Sequence, residues 1–453
     1  MKNIYLFLLF QCLNIISVQA QVWTPQNVGI PNRVEMFNIS APDSKTVWVS
    51  GFLGIFYTQP WNYDNGNTTV ALSNDVGLTW QQSTIDAGSG GAITSLYALD
   101  NQTAWATCII NGVGGKVFKT TNGGANWTQQ TSANFSNLGY VDWIYFWDAN
   151  EGICLGDAVN GYFELFRTTN GGNNWSRLNI IPAITNEIGY NEIYQVSGDT
   201  IWFQTSSARI IRSVNRGISW SVFSSGQTNN SGMAFSKGKG LGVAFPTDLS
   251  RKPYSSKMIM SQNGGESWST GTTTPFSDQA VFDATIVPET DYIVVSSWGD
   301  NAYGPFSTYL SRDKGMTWTQ IDNTAPLVKI RFVNPRVGYG GGHKTNVTSP
   351  TTLYRYTGSP LTGLLTPSVL DANISLSPNP TTDQLNIQLA YKESSNFRLN
   401  INNLLGDLVY FEDFKDVSNI NKSLNIKQFP SGTYIVTIAN PTGSLSRKIV
   451  KTE

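Results

Sequence analysis

The stretch Ser73-Asn74-Asp75-Val76-Gly77-Leu78-Thr79-Trp80 returns five times with small changes, as TTNGGANW (120–127), TTNGGNNW (168–175), SVNRGISW (213–220), SQNGGESW (261–268) and SRDKGMTW (311–318). The closing tryptophans, Trp80, Trp127, Trp175, Trp220, Trp268 and Trp318, follow one another at intervals of 45 to 50 residues. A period this steady across most of a chain marks a repeat architecture. A unit of that length is either a helix pair or a small sheet, and the residues between the octapeptides decide which.

Those residues form short β-branched or aromatic runs. TVWVSG (46–51), TAWATC (103–108), TIWFQT (200–205) and YIVVSS (292–297) recur at matching places, with ITSLYAL (93–99), DWIYFW (142–147) and KIRFV (329–333) in the position just ahead of such runs. A third run, such as KVFKT (116–120) or FELFRT (163–168), leads into the octapeptide, and a fourth follows its tryptophan. Four strands of about six residues joined by tight turns occupy one unit, so each repeat reads as one blade of a β-propeller. Residues 327–360 add KIRFV, RVGYGGG and TTLYRYTG without an octapeptide. The outer strand missing from this seventh set is expected from Val22-Trp23-Thr24-Pro25-Gln26, which resembles Trp127-Thr128-Gln129-Gln130. Borrowing it closes the ring and removes an exposed sheet edge. The predicted fold is all-β: a seven-bladed β-propeller over residues 21–362, followed by a small C-terminal β-sandwich.

Composition supports strands and narrows the partners. Among 453 residues, 42 glycines, 14 tryptophans, 19 tyrosines and 22 phenylalanines favour strands and tight turns. With 30 basic against 31 acidic residues, the chain offers no basic excess for nucleic acid or an anionic membrane. Residues 1–20 place Lys2 before an apolar run that ends in Val18-Gln19-Ala20, the pattern of a secretory signal cleaved before Gln21. The competing reading, a lipid attached to Cys12, is opposed by the bulky Phe10-Gln11 ahead of it. No later apolar stretch is long enough for a transmembrane helix. Cleavage leaves Cys108 and Cys154, for which a disulfide and two buried free thiols are both open. A monomer is expected.

The octapeptide has the chemistry of a turn. Asp75, Asn122, Asn170, Asn215, Asn263 and Asp313 can accept backbone N–H groups in an Asx-type turn, which an amide oxygen does as well as a carboxylate. The glycine two residues on can hold a positive φ, and the tryptophan can fold back over the turn. Asn at four of the six sites would disable a general acid and weaken a calcium ligand but leaves a turn intact. The pattern resembles the Asp-box of the BNR repeat, found in sialidases, sortilin-type receptors and photosystem assembly factors of the Ycf48 type. That resemblance implies a structural role for these residues at the rim, away from the central channel, and leaves function open among enzymes, receptors and assembly factors.

After a linker at residues 363–371 the composition shifts, and residues 372–453 contain neither tryptophan nor cysteine. ISLSPNPTTDQLNIQL (374–389) has a Pro378-Asn379-Pro380 turn followed by period-two alternation, and FRLNINNLLGDLVY, SLNIKQFPSGTYIVTI and SLSRKIVK follow as further strands. With the Leu405-Gly406 turn, Pro430-Ser431-Gly432-Thr433-Tyr434 and the basic finish Arg447-Lys448 with Lys451, this segment resembles the type A C-terminal sorting domain of the type IX secretion system of Bacteroidetes. The resemblance implies the type IX machinery as a partner, passage through the periplasm, and a product released or held at the outer cell surface.

Catalytic signatures are thin. A sialidase of this fold needs three arginines around a substrate carboxylate; Pro31-Asn32-Arg33-Val34 is a poor substitute for the usual arginine motif, and Arg33, Arg331 and Arg336 fall in no telling pattern. His343 is the only histidine, which removes multi-histidine metal sites. Gly340-Gly341-Gly342 reads as a blade turn, lacking the strand-to-helix context of a phosphate loop. No catalytic residue, metal or cofactor is assigned. Propellers meet ligands at one end of the channel, and Glu35, Asp142, Glu192, Lys329 and Arg331, with Trp143 as a stacking platform, are the candidates near the start of the inner strands. The leading expectation is an exported, non-catalytic binding or assembly module for a glycan or surface protein. A glycoside hydrolase and a surface adhesin are the alternatives.

Overall fold

The protein is described by a computed structural model over residues 21–30, 34–52, 66–110, 113–136, 140–224, 230–236, 241–248, 255–269, 274–298, 306–343, 351–362, 372–404, 408–440 and 443–453. The signal at residues 1–20, Arg33, the linker at residues 363–371 and the Leu405-Gly406 turn lie outside the described residues. The chain divides into two compact units, Met1–Leu361 and Thr362–Glu453.

Among the described residues the first unit holds seven four-stranded antiparallel sheets. Blade 3 shows the plan: Val141–Phe146 is innermost, then Gly152–Val159, Tyr162–Thr168 and, outermost, Ser176–Leu178. The inner strands of successive blades pack on one another, and that of blade 7 packs on that of blade 1, so the sheets form a closed seven-bladed propeller. Blade 5 departs from the plan. Its third strand is split into Ser255–Ser256 and Ile259–Ser261, and residues 270–273, where an outer strand would run, are not described.

The ring is closed by the N-terminus. Trp23–Gln26 pairs antiparallel with Leu353–Tyr356 and becomes the outer strand of blade 7. Trp23 is fully buried, with Phe332 and Tyr356 edge-on to its ring at 6.0 and 5.3 Å.

In blades 1 to 4 and 6 the octapeptide forms the turn between the third and outer strands, and in blade 5 it follows the third strand. In blade 1 the Ser73 hydroxyl accepts the Gly77 N–H (2.8 Å), and Asp75 Oδ1 accepts the N–H groups of Leu78 (3.0 Å) and Thr79 (2.8 Å). In blades 2 to 5 the side-chain oxygen of Asn122, Asn170, Asn215 or Asn263 takes the N–H four residues on, at 2.9 to 3.0 Å. One oxygen does this work, so Asn serves as well as Asp. In four turns the tryptophan Nε1–H donates back to the carbonyl of the turn glycine, as in Trp80 to Gly77 (3.1 Å).

The backbone explains one further feature of these turns. Both the glycine and the residue before it have positive φ, and the earlier position is Gly123, Gly171 or Gly264 in three turns but Val76 (φ 64), Arg216 (φ 53) or Lys314 (φ 59) in the others. The turns also tie blades together. The Gly171 carbonyl of blade 3 accepts from Trp105 Nε1 (3.2 Å) and Lys119 Nζ (2.9 Å) of blade 2, and the Gly264 carbonyl of blade 5 accepts from Trp202 Nε1 (2.7 Å) and Arg212 Nη1 (3.1 Å) of blade 4.

Cys108 and Cys154 are free, buried thiols in separate apolar clusters, so the disulfide left open by the sequence is absent. Burial pushes both thiols well above their ordinary range.

In the second unit the long strands Gln384–Asn403 and Leu408–Asn425 pair along both halves. The first half is flanked by Asn373–Ser377, the second by Gly432–Asn440 and then Gly443–Lys451. Leu385, Ile387 and Leu389 from one half meet Leu399, Ile401, Val436 and Ile438 from the other in one core, which makes a small sandwich. Asn379 of the Pro-Asn-Pro turn bonds the Lys448 carbonyl (2.9 Å) and the Val450 N–H (2.9 Å), and the Tyr434 hydroxyl donates to the Pro430 carbonyl (2.7 Å). Lys451 is buried, its ammonium on the Thr452 carbonyl at 2.6 Å.

Two stability changes test this account by urea unfolding. Val76→Asn should stabilise the chain by about 1 kcal/mol, because a β-branched residue is strained at positive φ and Asn tolerates it. Trp23→Ala should cost about 3–5 kcal/mol through the cavity it leaves in the closing blade. A loss below 1 kcal/mol would show that the ring does not depend on this strand.

Candidate functional site

Every inner strand carries a register shift near its start, between Met36 and Asn38 in blade 1 and at the matching place in the other six. A bulge adds a residue to one strand and bends it. Repeated seven times around the ring, it aims side chains across the channel.

The contents of the channel fall into three layers. At the end where the inner strands begin, Phe37, Phe52, Ala92, Ile109 and Val328, with Tyr140 and Phe282, meet from five blades in one apolar cluster. A polar tie follows. Glu192, at φ 55 on the inner strand of blade 4, accepts a hydrogen bond from the Ser95 hydroxyl of blade 2. Lys329 of blade 7 donates to the Glu192 carbonyl oxygen (2.8 Å) and stands 3.8 Å from Asp283 Oδ1 of blade 6. Asp283 Oδ2 in turn accepts the Ile330 N–H at 2.9 Å. Burial raises the Glu192 carboxyl above its ordinary range, opposed by the Lys329 charge and the Ser95 bond. Burial also lowers the Lys329 ammonium, opposed by Asp283. Such a tie fixes the blades against one another, since one partner alone would leave a charge buried without compensation.

The third layer is the mouth where the inner strands end. Two cavities of about 230 and 490 Å³ adjoin there and share Gln195, Val196, Arg331 and Phe332 as a common wall. The smaller is lined by Tyr97, Tyr145 and Tyr194 from three consecutive blades. The ring centroids of Tyr97 and Tyr145 are 4.8 Å apart, those of Tyr145 and Tyr194 6.0 Å, both edge-on. Burial raises all three phenols, so they remain O–H groups at neutral pH. The larger cavity is bordered by Thr285, Glu289, Thr290 and Asp291, and Asp291 is paired with Lys314 at 3.1 Å.

The six candidates from the sequence separate accordingly. Arg331 lines both cavities. Glu192 and Lys329 belong to the buried tie. Glu35 is 1% exposed with its Oε1 2.6 Å from His343 Nδ1, beside the rings of Phe282, Trp298 and Phe306 around the histidine. Trp143 is fully buried, stacked on Tyr194 and packed on Phe203, with no face open for a ligand. Asp142 is 2% exposed, with the Asp157 charge adding to burial in raising its carboxyl, and Asp157 accepts the Gly189 N–H at 3.0 Å. Among the described residues the two cavities lie at the end of the inner strands, and Arg331 is the one of the six that lines them. Tyr97, Tyr145, Tyr194 and Gln195 were missed. The signal for Tyr97 and Tyr145 was present: they hold the same position in ITSLYAL and DWIYFW.

Among known proteins, no curated sequence matches the chain. Residues 375–452 match the family described as Secretion system C-terminal sorting domain. The chain is a type IX export substrate. Its destination is the cell surface or the extracellular space. Among the described residues, no helix is long and apolar enough to cross a membrane. The propeller of this exported chain is similar to the structure "YCF48 bound to D1 peptide", at 18% identity and a TM-score of 0.54 over 76% of this chain and 99% of that one. It is also similar to YCF48 from Cyanidioschyzon merolae, at 17% identity and a TM-score of 0.51 over 74% of this chain and 98% of that one. At these identities the likeness concerns the fold alone.

Asp142 and Asp157 yield a pH test. Burial raises both carboxyls, helped at Asp142 by the Asp157 charge, and Asp157 rises to about 6. Each folded carboxyl then holds a proton that the unfolded chain releases near pH 4, so stability falls as pH rises above about 4, with the Asp157 contribution complete near 6 and that of Asp142 continuing above it. Asp142→Asn should raise stability at pH 8 by on the order of 1 kcal/mol and leave it unchanged at pH 4, as read from thermal unfolding at both. Equal destabilisation at the two pH values would contradict the burial of charge.

Proposed function

We propose that the exported propeller is a binding module that captures a glycan or a protein segment at the channel mouth, without chemistry on it. The observation that carries this reading is the pair of adjoining cavities walled by Arg331 and Gln195 and lined on one side by three tyrosines. Their volumes fall in or just below the range typical of ligand sites, and a few polar groups set among aromatic rings is the usual composition of such sites. The polar tie beneath supports the mouth rigidly, which limits the ordering cost of binding. The octapeptide turns serve as scaffold, and the propeller spans residues 21–362 ahead of a sorting domain at 372–453.

A hydrolytic reading draws on one observation, the carboxyls of Asp142 and Asp157, both raised by burial. These lie at the start of the blade 3 inner strand and its neighbour, at the other end from the cavities, and Asp142 is sealed from solvent. Retention at the cell surface as an adhesin remains compatible with the binding reading, since it concerns the partner's location only.

The test is a glycan and peptide array probed with the full chain, followed by titration and a turnover assay on every hit. Peptides belong on it because one protein of this fold is solved with a peptide bound. Saturable binding without turnover is expected, weakened roughly tenfold by Tyr145→Ala through lost aromatic contact. Turnover abolished by Asp157→Asn would replace this reading with hydrolysis.

A further inference from the structure

The shared wall of the two cavities holds two polar side chains, Arg331 and Gln195. Among the described residues neither side chain makes a hydrogen bond or an ion pair, although the other buried cation of the channel, Lys329, is engaged by Glu192 and Asp283. Asp283 is already occupied by Lys329 and the Ile330 N–H, and Glu192 is bonded by Ser95, with the Arg331 charge acting on its carboxyl only through space. Arg331, two residues along the same strand and half-buried, is thus a guanidinium at a cavity that feels the Glu192 charge but, among the described residues, is bonded by no carboxylate.

A planar fork of N–H donors in a partly dry site selects a planar, bidentate acceptor, which is a carboxylate. Gln195 beside it offers one acceptor and two donors, the complement of neighbouring hydroxyls. The Tyr97, Tyr145 and Tyr194 phenols and rings complete a compact cavity of about 230 Å³, suited to one polyhydroxylated ring more than to an extended strand. The adjoining cavity has the opposite character, since Glu289 and Asp291 stand on its border. A second carboxylate would be repelled there, whereas a neutral ring would meet Thr285 and Thr290.

Resting on the binding reading above, we propose that the mouth takes an acidic saccharide, with a uronate-type carboxylate on Arg331, its hydroxyls on Gln195 and the tyrosines, and a neutral sugar ring in the second cavity. The shared wall then reads the junction between an acidic and a neutral ring.

Calorimetric titration of the full chain tests this with four probes: a disaccharide of glucuronate linked to galactose, its neutral glucose–galactose counterpart, digalacturonate, and a tetrapeptide with a free C-terminal carboxylate. The glucuronate–galactose probe should bind at least roughly tenfold tighter than the neutral one, the expected size of a charge-assisted hydrogen bond. It should also outbind digalacturonate and weaken with added salt. Arg331→Gln should remove the preference for the acidic probe, and Arg331→Lys should restore only part of it, with an unchanged melting curve showing that both variants fold. Equal binding of acidic and neutral disaccharides, insensitive to Arg331→Gln but lost in Tyr145→Ala, would overturn the carboxylate assignment and leave the binding module standing. Binding of the peptide alone would overturn the saccharide class. Failure of all four probes would overturn the proposal, and the array above would then decide the broader reading separately.

Discussion

The fold rests on a turn of two consecutive residues with positive φ, stabilised from within by a serine or threonine hydroxyl and an Asx oxygen. Without that hydrogen-bonded turn the third and outer strands of a blade would have no fixed register, and the tryptophan that closes the octapeptide would not lie over its own glycine. The same backbone ties three blades to the ones before them, because the carbonyl between the two positive-φ residues accepts side-chain donors of the preceding blade in the turns of blades 3, 4 and 5. Trp105 and Lys119 reach Gly171, and Trp202 and Arg212 reach Gly264. A local turn thereby becomes a joint between units that share no sheet hydrogen bonds. The price falls on the turns that lack glycine at the first position, Val76 most clearly, where a β-branched residue occupies a left-handed conformation.

Closure adds the second constraint. A propeller assembled from hairpins alone would leave the outer edge of its last blade open, and edge strands invite pairing with other chains. Here Trp23–Gln26 covers that edge and buries an indole between the rings of Phe332 and Tyr356. Folding must therefore unite the two ends of a unit about 340 residues long, a contact of high loop-closure cost that only the complete ring repays.

The channel turns this scaffold into a graded interior. Seven bulges direct phenylalanines and valine into one end, a Ser95–Glu192–Lys329–Asp283 tie across the middle, and tyrosines with Arg331 to the other. Burial moves Glu192 and Lys329 toward their neutral forms while their mutual contacts resist it, so the tie is a structural element under electrostatic tension. The mouth above it differs in kind, since Arg331 and Gln195 are half-exposed and, among the described residues, no carboxylate bonds the guanidinium. The sorting domain acts independently of all this, as an address carried on its own small core.

Much of the architecture was legible in the chain because it is periodic. Six octapeptides, their spacing, the fourth-strand likeness of Val22–Gln26 and the alternation after Pro380 were each local signals, and local hydrogen bonding or pleating is what they encode. Register within blades followed, since a one-residue slip would expose the apolar face of every strand. The site was only partly legible. Glu35, Asp142, Trp143, Glu192 and Lys329 stood out as polar or aromatic residues near the start of inner strands, yet nothing in the local sequence records a bulge repeated seven times or the side chains it turns inward. That Lys329 is engaged and Arg331 is not, though two residues apart on one strand, depends on Glu192 and Asp283 arriving from other blades. Sequence by itself determined the repeated unit, the number of blades, the closing strand and the export address, because each is written in contiguous residues. Only the tertiary structure decided which side chains line the cavities and which charges are tied together, because both depend on groups that meet across a ring from different blades.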